Sequence, residues 1–192
     1  AILAQASLAQ AAQAARAKSV GFLHEIVMMP NPWAGFFVAL ELKDCGGKGT
    51  GIVAAEAIAQ GTLIFDTSAE GAVRTYTEQE LLCELTALSP EDAAFLVRHV
   101  YCHDGNVLGS LGNAKYWNHG RPANTGGREM LASSLGEKSV PGEPNGIYAL
   151  ADILPGEELT LDYSKYASVE WYEKICGKYG VETIKQVGEL YA

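Results

Sequence analysis

Cysteine is scarce and scattered in this 192-residue sequence: Cys45, Cys83, Cys102 and Cys176 lie far apart, and no two share the C-x-x-C spacing of a paired ligand set. That pattern argues against both a zinc cluster and the disulfide framework of a small secreted protein. Four reduced thiols, mostly buried as small hydrophobes, are expected, and with them a reducing intracellular compartment, whether nuclear, cytoplasmic or organellar. Long apolar runs are missing too. No stretch of about 18 uninterrupted apolar residues occurs, so no membrane span is expected, and no charged segment leading into an apolar one marks a secretion leader. Basic charge is in deficit, with 14 Lys and Arg against 23 Asp and Glu for a formal net charge of -9. This balance disfavours direct nucleic acid binding and suits a basic protein or peptide partner. Repeats and low-complexity linkers are absent, which removes solenoids and strings of domains.

What is present fits one domain. The length suffices for a proper core but not comfortably for two, and 48% hydrophobic and 19% charged residues are near the average for folded proteins. Residues 1–34 read as an N-terminal helical segment: 1–18 are rich in Ala and Gln without acid, and Arg16 and Lys18 give them some likeness to the tail of an organellar transit peptide. Pro30 and Pro32 end it. A strand is predicted over 35–42. The turn glycines Gly46, Gly47, Gly49 and Gly51 follow, then the apolar runs 52–54 and 63–65, together a small β-meander.

Within 67–103 the period changes. Thr77-Glu78-Gln79-Glu80 has the spacing of a capping box ahead of Leu81, Leu82, Leu85 and Leu88, and Ser89-Pro90 starts a second helix whose face is Ala93, Leu96, Val97, Val100 and Tyr101. A helical hairpin is predicted to interrupt the strands. Residues 125–145 read as a long loop, and strands return at 146–150 and 159–163 around Pro155-Gly156. A helical stripe of Val169, Tyr172, Ile175, Cys176 and Tyr179 stops at Gly180, and Ile184, Val187 and Tyr191 form a last short helix. The fold class is α+β, with strands at the functional centre.

Three stretches could carry chemistry. Gly47-Lys48-Gly49-Thr50-Gly51 lets a ligand approach the backbone, yet its spacing is that of neither a dinucleotide nor a phosphate-binding loop, and a ligand-free turn explains it as well. Lys115-Tyr116-Trp117-Asn118-His119 joins aromatics to an Asn-His pair, residue types that also serve turns. Gly156-Glu157-Glu158-Leu159-Thr160-Leu161-Asp162-Tyr163 ends a strand in tyrosine; alone it reads as core, with Glu157 and Glu158 on a solvated turn. His99, His103, Asp104 and His119 suggest a metal-dependent hydrolase, a constellation too sparse to define a site.

Taken in order, the three stretches resemble the SET-domain protein-lysine methyltransferases, whose pattern runs G-x-G, then R-F-x-N-H-S-C-x-P-N, then G-E-E-L-T-x-D-Y. The resemblance covers 35–165 and is most specific at 156–163, matched without a gap. It implies a β-clip-like fold of small sheets with an inserted helical hairpin, closed by C-terminal helices over 166–192. It implies S-adenosylmethionine as cofactor, S-adenosylhomocysteine as product, no metal, and methyl transfer to lysine of a basic protein or peptide such as a histone tail. By the same resemblance Lys48, Gly49, Thr50, Gly51, Lys115, Tyr116, Asn118 and His119 hold the cofactor. Tyr163 stands at the methyl-transfer centre and in the substrate channel, and Leu161 stands where the family varies Phe and Tyr to set the methyl number.

The chain departs from the pattern at Gly120 and Arg121, which replace Ser-Cys, at Pro122, one position early, and after Tyr163, where no Cys-rich closure follows. This implies a compact member whose cofactor needs another cover, for which Trp171 on the C-terminal helix is the candidate; a helix simply packed on the core by Tyr172 and Ile175 is the alternative. The family's G-E-x-I segment is poorly matched near Ala69-Glu70-Gly71, so a second channel tyrosine has two candidates, Tyr76 and Tyr101. A SET-like module that binds cofactor or peptide without catalysis is the alternative function.

Overall fold

The computed structural model describes residues 31–137 and 146–190; the N-terminal helix read over 1–18 lies outside them. Strand β1 (Leu40–Asp44) pairs antiparallel with β2 (Thr50–Ala54), Leu42 opposite Ile52, across a 3₁₀ turn at Gly46–Lys48. Gly46 and Gly49 take φ of 66° and 75°, which side chains resist, so glycine is required to close this hairpin. The strand predicted over 35–42 begins later, because Gly35 at φ 85° turns the chain and leaves only a Phe36–Phe65 bridge before β1.

The expected meander is not formed. Strand β3 (Leu63–Asp66) leaves the first hairpin and pairs in a different sheet, introduced below with its partner. Strand β4 (Val73–Tyr76) leads into helix α1 (Glu78–Thr86), where Thr77 and Glu80 form the capping box in both directions, and helix α2 (Pro90–Arg98) starts on Ser89 with proline in its first turn. Strands β5 (Val100–His103) and β6 (Asn106–Ser110) follow, and the sheet order β4-β6-β5 frames the helical hairpin. Arg74 reaches from β4 to Glu84 on α1 at 3.0 Å.

Short strands β7 (Asn118–His119) and β8 (Thr125–Gly126) precede helix α3 (Arg128–Ser134), which occupies part of the predicted loop 125–145. Strand β9 (Gly146–Ala149) sits between β3 and β8 in a second three-stranded sheet. Strand β10 (Thr160–Leu161) pairs in parallel with β7, and the chain finishes in α4 (Glu170–Lys178) and α5 (Ile184–Leu190).

Two apolar clusters hold these pieces. One gathers Leu81, Leu85, Val97, Val107, Tyr172 and Ile175, joining the hairpin to α4; the other gathers Ile52, Ile64, Trp117, Ile153, Leu159 and Leu161. Each fully buried large side chain contributes about 1.5–3 kcal/mol to folding. The Tyr172 hydroxyl donates to the Val100 carbonyl, so its polar end is satisfied inside the first cluster. Tyr163 and Tyr166 pack on the second cluster and Val169 and Trp171 on the first, so 163–171 ties the two together. Among the described residues no helix is long and apolar enough to cross a membrane.

Candidate functional site

The parallel pairing of β7 with β10 sets Asn118 opposite Thr160 and His119 opposite Leu161, bringing together two stretches that are 42 residues apart. Asn118 Nδ2 donates to the Thr50 carbonyl at 3.2 Å and to Glu158 Oε1 at 2.9 Å, while Lys48 Nζ donates to Glu158 Oε2 at 2.8 Å. Burial acts to raise the Glu158 carboxyl, but bonds from Lys48, Asn118 and Cys45 outweigh it and hold the group below the usual carboxylate range. Cys45 responds in the opposite sense, its thiol pushed up by burial and by the Glu158 carboxylate. Gly51 is enclosed by this cluster: a Cβ there would lie 2.6 Å from Cys45 Sγ and 2.8 Å from both Asn118 Nδ2 and Glu158 Oε1. Lys48, Gly49, Thr50, Gly51 and Asn118 therefore form one unit, and Glu158, read from sequence as a solvated turn residue, is its centre.

His119 connects this unit to the tyrosine turn. The Tyr163 amide lies 3.1 Å from His119 Nδ1. The same Nδ1 lies 3.2 Å from the Leu161 carbonyl oxygen, so this ring nitrogen sits between a backbone donor and a backbone acceptor of the tyrosine turn. His119 Nε2 is buried with no hydrogen-bond partner among the described residues. The Tyr163 hydroxyl donates to the Trp117 carbonyl, and Trp117 Nε1 donates to Thr125 Oγ1 at 3.0 Å. Asp162 caps the Tyr163–Lys165 turn through Ser164; burial acts to raise its carboxyl, but the Ser164 hydroxyl and amide hold it below the usual range. Gly120 stands where Ser was expected because the Thr160 side chain fills the space, within 2.5 Å of where a Cβ would sit. Asn124 secures the same strand, accepting from the Thr160 amide and donating to the Glu158 carbonyl, each at 2.8 Å.

A cavity of about 590 Å³ opens beside this turn, and Tyr101, Lys115, Trp117, Leu161, Tyr163 and Tyr166 all line it. The Tyr166 ring stands edge-on to Tyr101 at 5.6 Å and to Tyr163 at 6.2 Å. Burial pushes the Tyr101 phenol up to about 12, and burial also raises Tyr163 and Tyr166, helped by the Glu158 charge and by the neighbouring tyrosines respectively. All three keep their protons at neutral pH, so they can hydrogen-bond but cannot serve as bases there.

Tyr101, one of the two tyrosines named from sequence, lines the cavity beside Tyr163, and so does Tyr166, which the sequence reading did not single out although it follows Tyr163 by one 3₁₀ turn. Tyr76, the other candidate, is buried in the first cluster under Arg74, 4.6 Å from its ring centroid. Lys115 lies over the Tyr116 ring at 5.2 Å, and Tyr116 packs on the second cluster. Trp171 packs on the hairpin cluster beside Tyr172, 6.3 Å between centroids, and is not part of the cavity wall. The C-terminal wall comes instead from Ile184 and Val187 of α5, and α5 lies so close to the tyrosine turn that a Cβ at Gly188 would sit 2.8 Å from Tyr163 Cβ. His103 and Asp104 pair at 3.5 Å, while His99 and His119 are engaged elsewhere. Among the described residues no three His, Cys, Asp or Glu side chains are placed to hold a metal.

These features suit an adenosyl amino acid. A Cβ at Gly47 or Gly49 would meet nothing within 4 Å, so the backbone there is open to approach; the buried His119 Nε2 has no hydrogen-bond partner among the described residues; and the cavity offers an aromatic and a cationic wall in Trp117 and Lys115. Fold and site together define a class of α+β protein in which a tyrosine turn walls one cavity and is tied through an Asn-His strand to a glycine hairpin that lies outside that wall. The SET domain family model matches residues 49–164, more than half of the chain, and the protein belongs to the SET-domain family, whose members are generally protein-lysine methyltransferases. Among solved structures, one named for a "putative histone methyltransferase" of Plasmodium falciparum aligns over 71% of this chain and 99% of its own, at 16% identity and a TM-score of 0.40. No curated protein sequence matches.

Proposed function

We propose that the protein binds S-adenosylmethionine and transfers a methyl group to the side-chain amine of lysine in a basic protein or peptide, such as a histone tail. The observation that carries this reading is the meeting of Tyr163, Tyr101, Tyr166 and Leu161 on one cavity, linked through Asn118 and His119 to the glycine hairpin. Lys48, Gly49, Thr50, Gly51, Asn118 and His119 would hold the cofactor, with Lys115 and Trp117 beside it. When bound, S-adenosylmethionine supplies an activated methyl group and a positive sulfonium.

A lysine amine has an ordinary pKa of about 10.4 and must lose a proton before it can attack. A cavity walled by Leu161 and three aromatic rings disfavours the ammonium by desolvation. The Tyr163 oxygen, its hydrogen committed to Trp117, retains lone pairs that can accept an N–H from the amine and aim its lone pair. Such alignment, with reacting atoms about 3–3.5 Å apart, can supply a large share of the barrier reduction. The chain's net charge of -9 supports a basic substrate.

The test is incubation of the purified protein with radiolabelled S-adenosylmethionine and histone and ribosomal protein mixtures, with calorimetry of cofactor binding in parallel. Label on lysine is expected. Cofactor binding without any label would instead establish the non-catalytic module.

A further inference from the structure

The methyl-transfer reading leaves the acceptor of the lysine proton unnamed, and the inference drawn next rests on that reading. His99 follows α2 and lines the same 590 Å³ cavity as Tyr101 and Tyr163. Its Nδ1 lies 2.8 Å from the Phe95 carbonyl oxygen. A carbonyl only accepts, so Nδ1 carries the hydrogen and Nε2 carries a lone pair. The Phe95 ring lies against the imidazole with centroids 4.2 Å apart, so the ring is held at two points and its tautomer is set by the helix itself.

The surroundings keep the ring neutral. Burial is the main influence against imidazolium; the Phe95 carbonyl opposes it, and the positive charges of Lys115 and Arg98 add to it. Elsewhere on the cavity wall His103 and Asp104 pair with each other and Asp162 is held by Ser164. Arg128, Glu129, Lys165 and Glu182 are the remaining charged wall residues. Tyr101, Tyr163 and Tyr166 keep their protons, and an ordinary carboxylate, titrating at about 4, holds a proton at neutral pH less well than an imidazole titrating at about 6.5.

We propose that Nε2 of His99 is the proton acceptor for the substrate ammonium in this cavity, directly or through one water. The step is a proton transfer: one N–H bond of the ammonium breaks and its electron pair stays on the amine, the Nε2 lone pair forms the new N–H bond, and the imidazolium then releases the proton to water. Lys115 and Arg98 speed that release by disfavouring the charged ring.

Two measurements decide it. In the wild-type protein without substrate, imidazole ¹⁵N shifts should show Nδ1–H with bare Nε2 at pH 7.5 and protonation only below about pH 6.5. A ring carrying Nε2–H there, or still charged, overturns the assignment whatever the protein methylates. His99→Asn keeps a donor for Phe95 and removes the base. With a labelled lysine peptide its single-turnover rate should fall about 100-fold at pH 7 and recover toward pH 9, with cofactor affinity by calorimetry unchanged. A wild-type rate and pH profile in this variant also overturns the proposal. A wild-type protein that binds no cofactor removes the methyl-transfer reading and this inference with it; failure confined to His99 leaves binding and labelling intact in the variant.

Discussion

Glu158 and Lys48, separated by 110 positions in the chain, meet at 2.8 Å as the ion pair that anchors the glycine hairpin to the strand before Tyr163. Because partner bonds outweigh burial, the folded Glu158 carboxyl titrates below its unfolded value. The folded state then binds this proton less tightly, so the stabilisation is complete above the unfolded carboxylate value of about 4.3 and disappears as pH falls through the lower folded value. Glu158→Gln should therefore melt below wild type near neutral pH, and the gap in melting temperature should close as pH falls below the ordinary carboxylate value of about 4.3. A gap that stays constant across this range in scanning fluorimetry would show that the charge contributes nothing.

Gly51 is the position in the hairpin where a single methyl group does the most harm. A Cβ there overlaps Cys45 Sγ, Asn118 Nδ2 and Glu158 Oε1 at once, so Gly51→Ala must open the cluster. Overpacking of this kind costs about 1–3 kcal/mol. Urea unfolding should show that loss, and calorimetry should show weakened S-adenosylmethionine binding. Gly49→Ala, with nothing within 4 Å but a φ of 75°, should act through backbone strain alone and leave the Lys48–Glu158 contact in place.

Elements with local signals were legible in the sequence. The Thr77–Glu80 box and Ser89-Pro90 start α1 and α2, and Gly180, at φ 64°, stops the stripe of α4. Elements determined by distant partners were not. Strand β6 lies in a glycine-rich stretch whose Gly109 makes room for the Tyr76 ring, 2.9 Å from where a Cβ would be. Helix α3 is short and starts on Gly127 with no side-chain cap, so no start signal marked it; Leu131 and Ala132 make its core contact. In the site, Tyr163, Asn118 and the glycines were found because they share one motif order. Glu158 was not, because its neighbours Pro155-Gly156 read as a solvated turn and its partner Lys48 lies on another hairpin.

The C-terminal closure can be assigned by a pair of substitutions. Trp171 packs on the hairpin cluster, whereas Gly188 abuts the tyrosine turn. Trp171→Ala should lower the melting temperature, by loss of burial of an aromatic ring, without changing cofactor affinity. Gly188→Ala should displace α5 from Tyr163 and lower turnover more than it lowers stability. The reverse pattern, with Trp171→Ala losing cofactor binding at an unchanged melting temperature, would restore Trp171 as the cover.

Tyr163→Phe isolates one oxygen. The ring keeps its contacts with the second cluster and with Tyr166, and what is lost is the donor to the Trp117 carbonyl and the acceptor offered to the amine. Leaving the carbonyl unpaired costs about 1–3 kcal/mol of stability, which the fold can absorb. Because the lost acceptor acts on the reacting nitrogen, kcat should fall by about 100-fold or more while S-adenosylmethionine affinity holds, the signature of an interaction made mainly in the transition state. Near-normal kcat with a confirmed lysine substrate would remove Tyr163 from the chemistry, and the aim of the amine would then pass to Tyr101 or Tyr166 on the same wall.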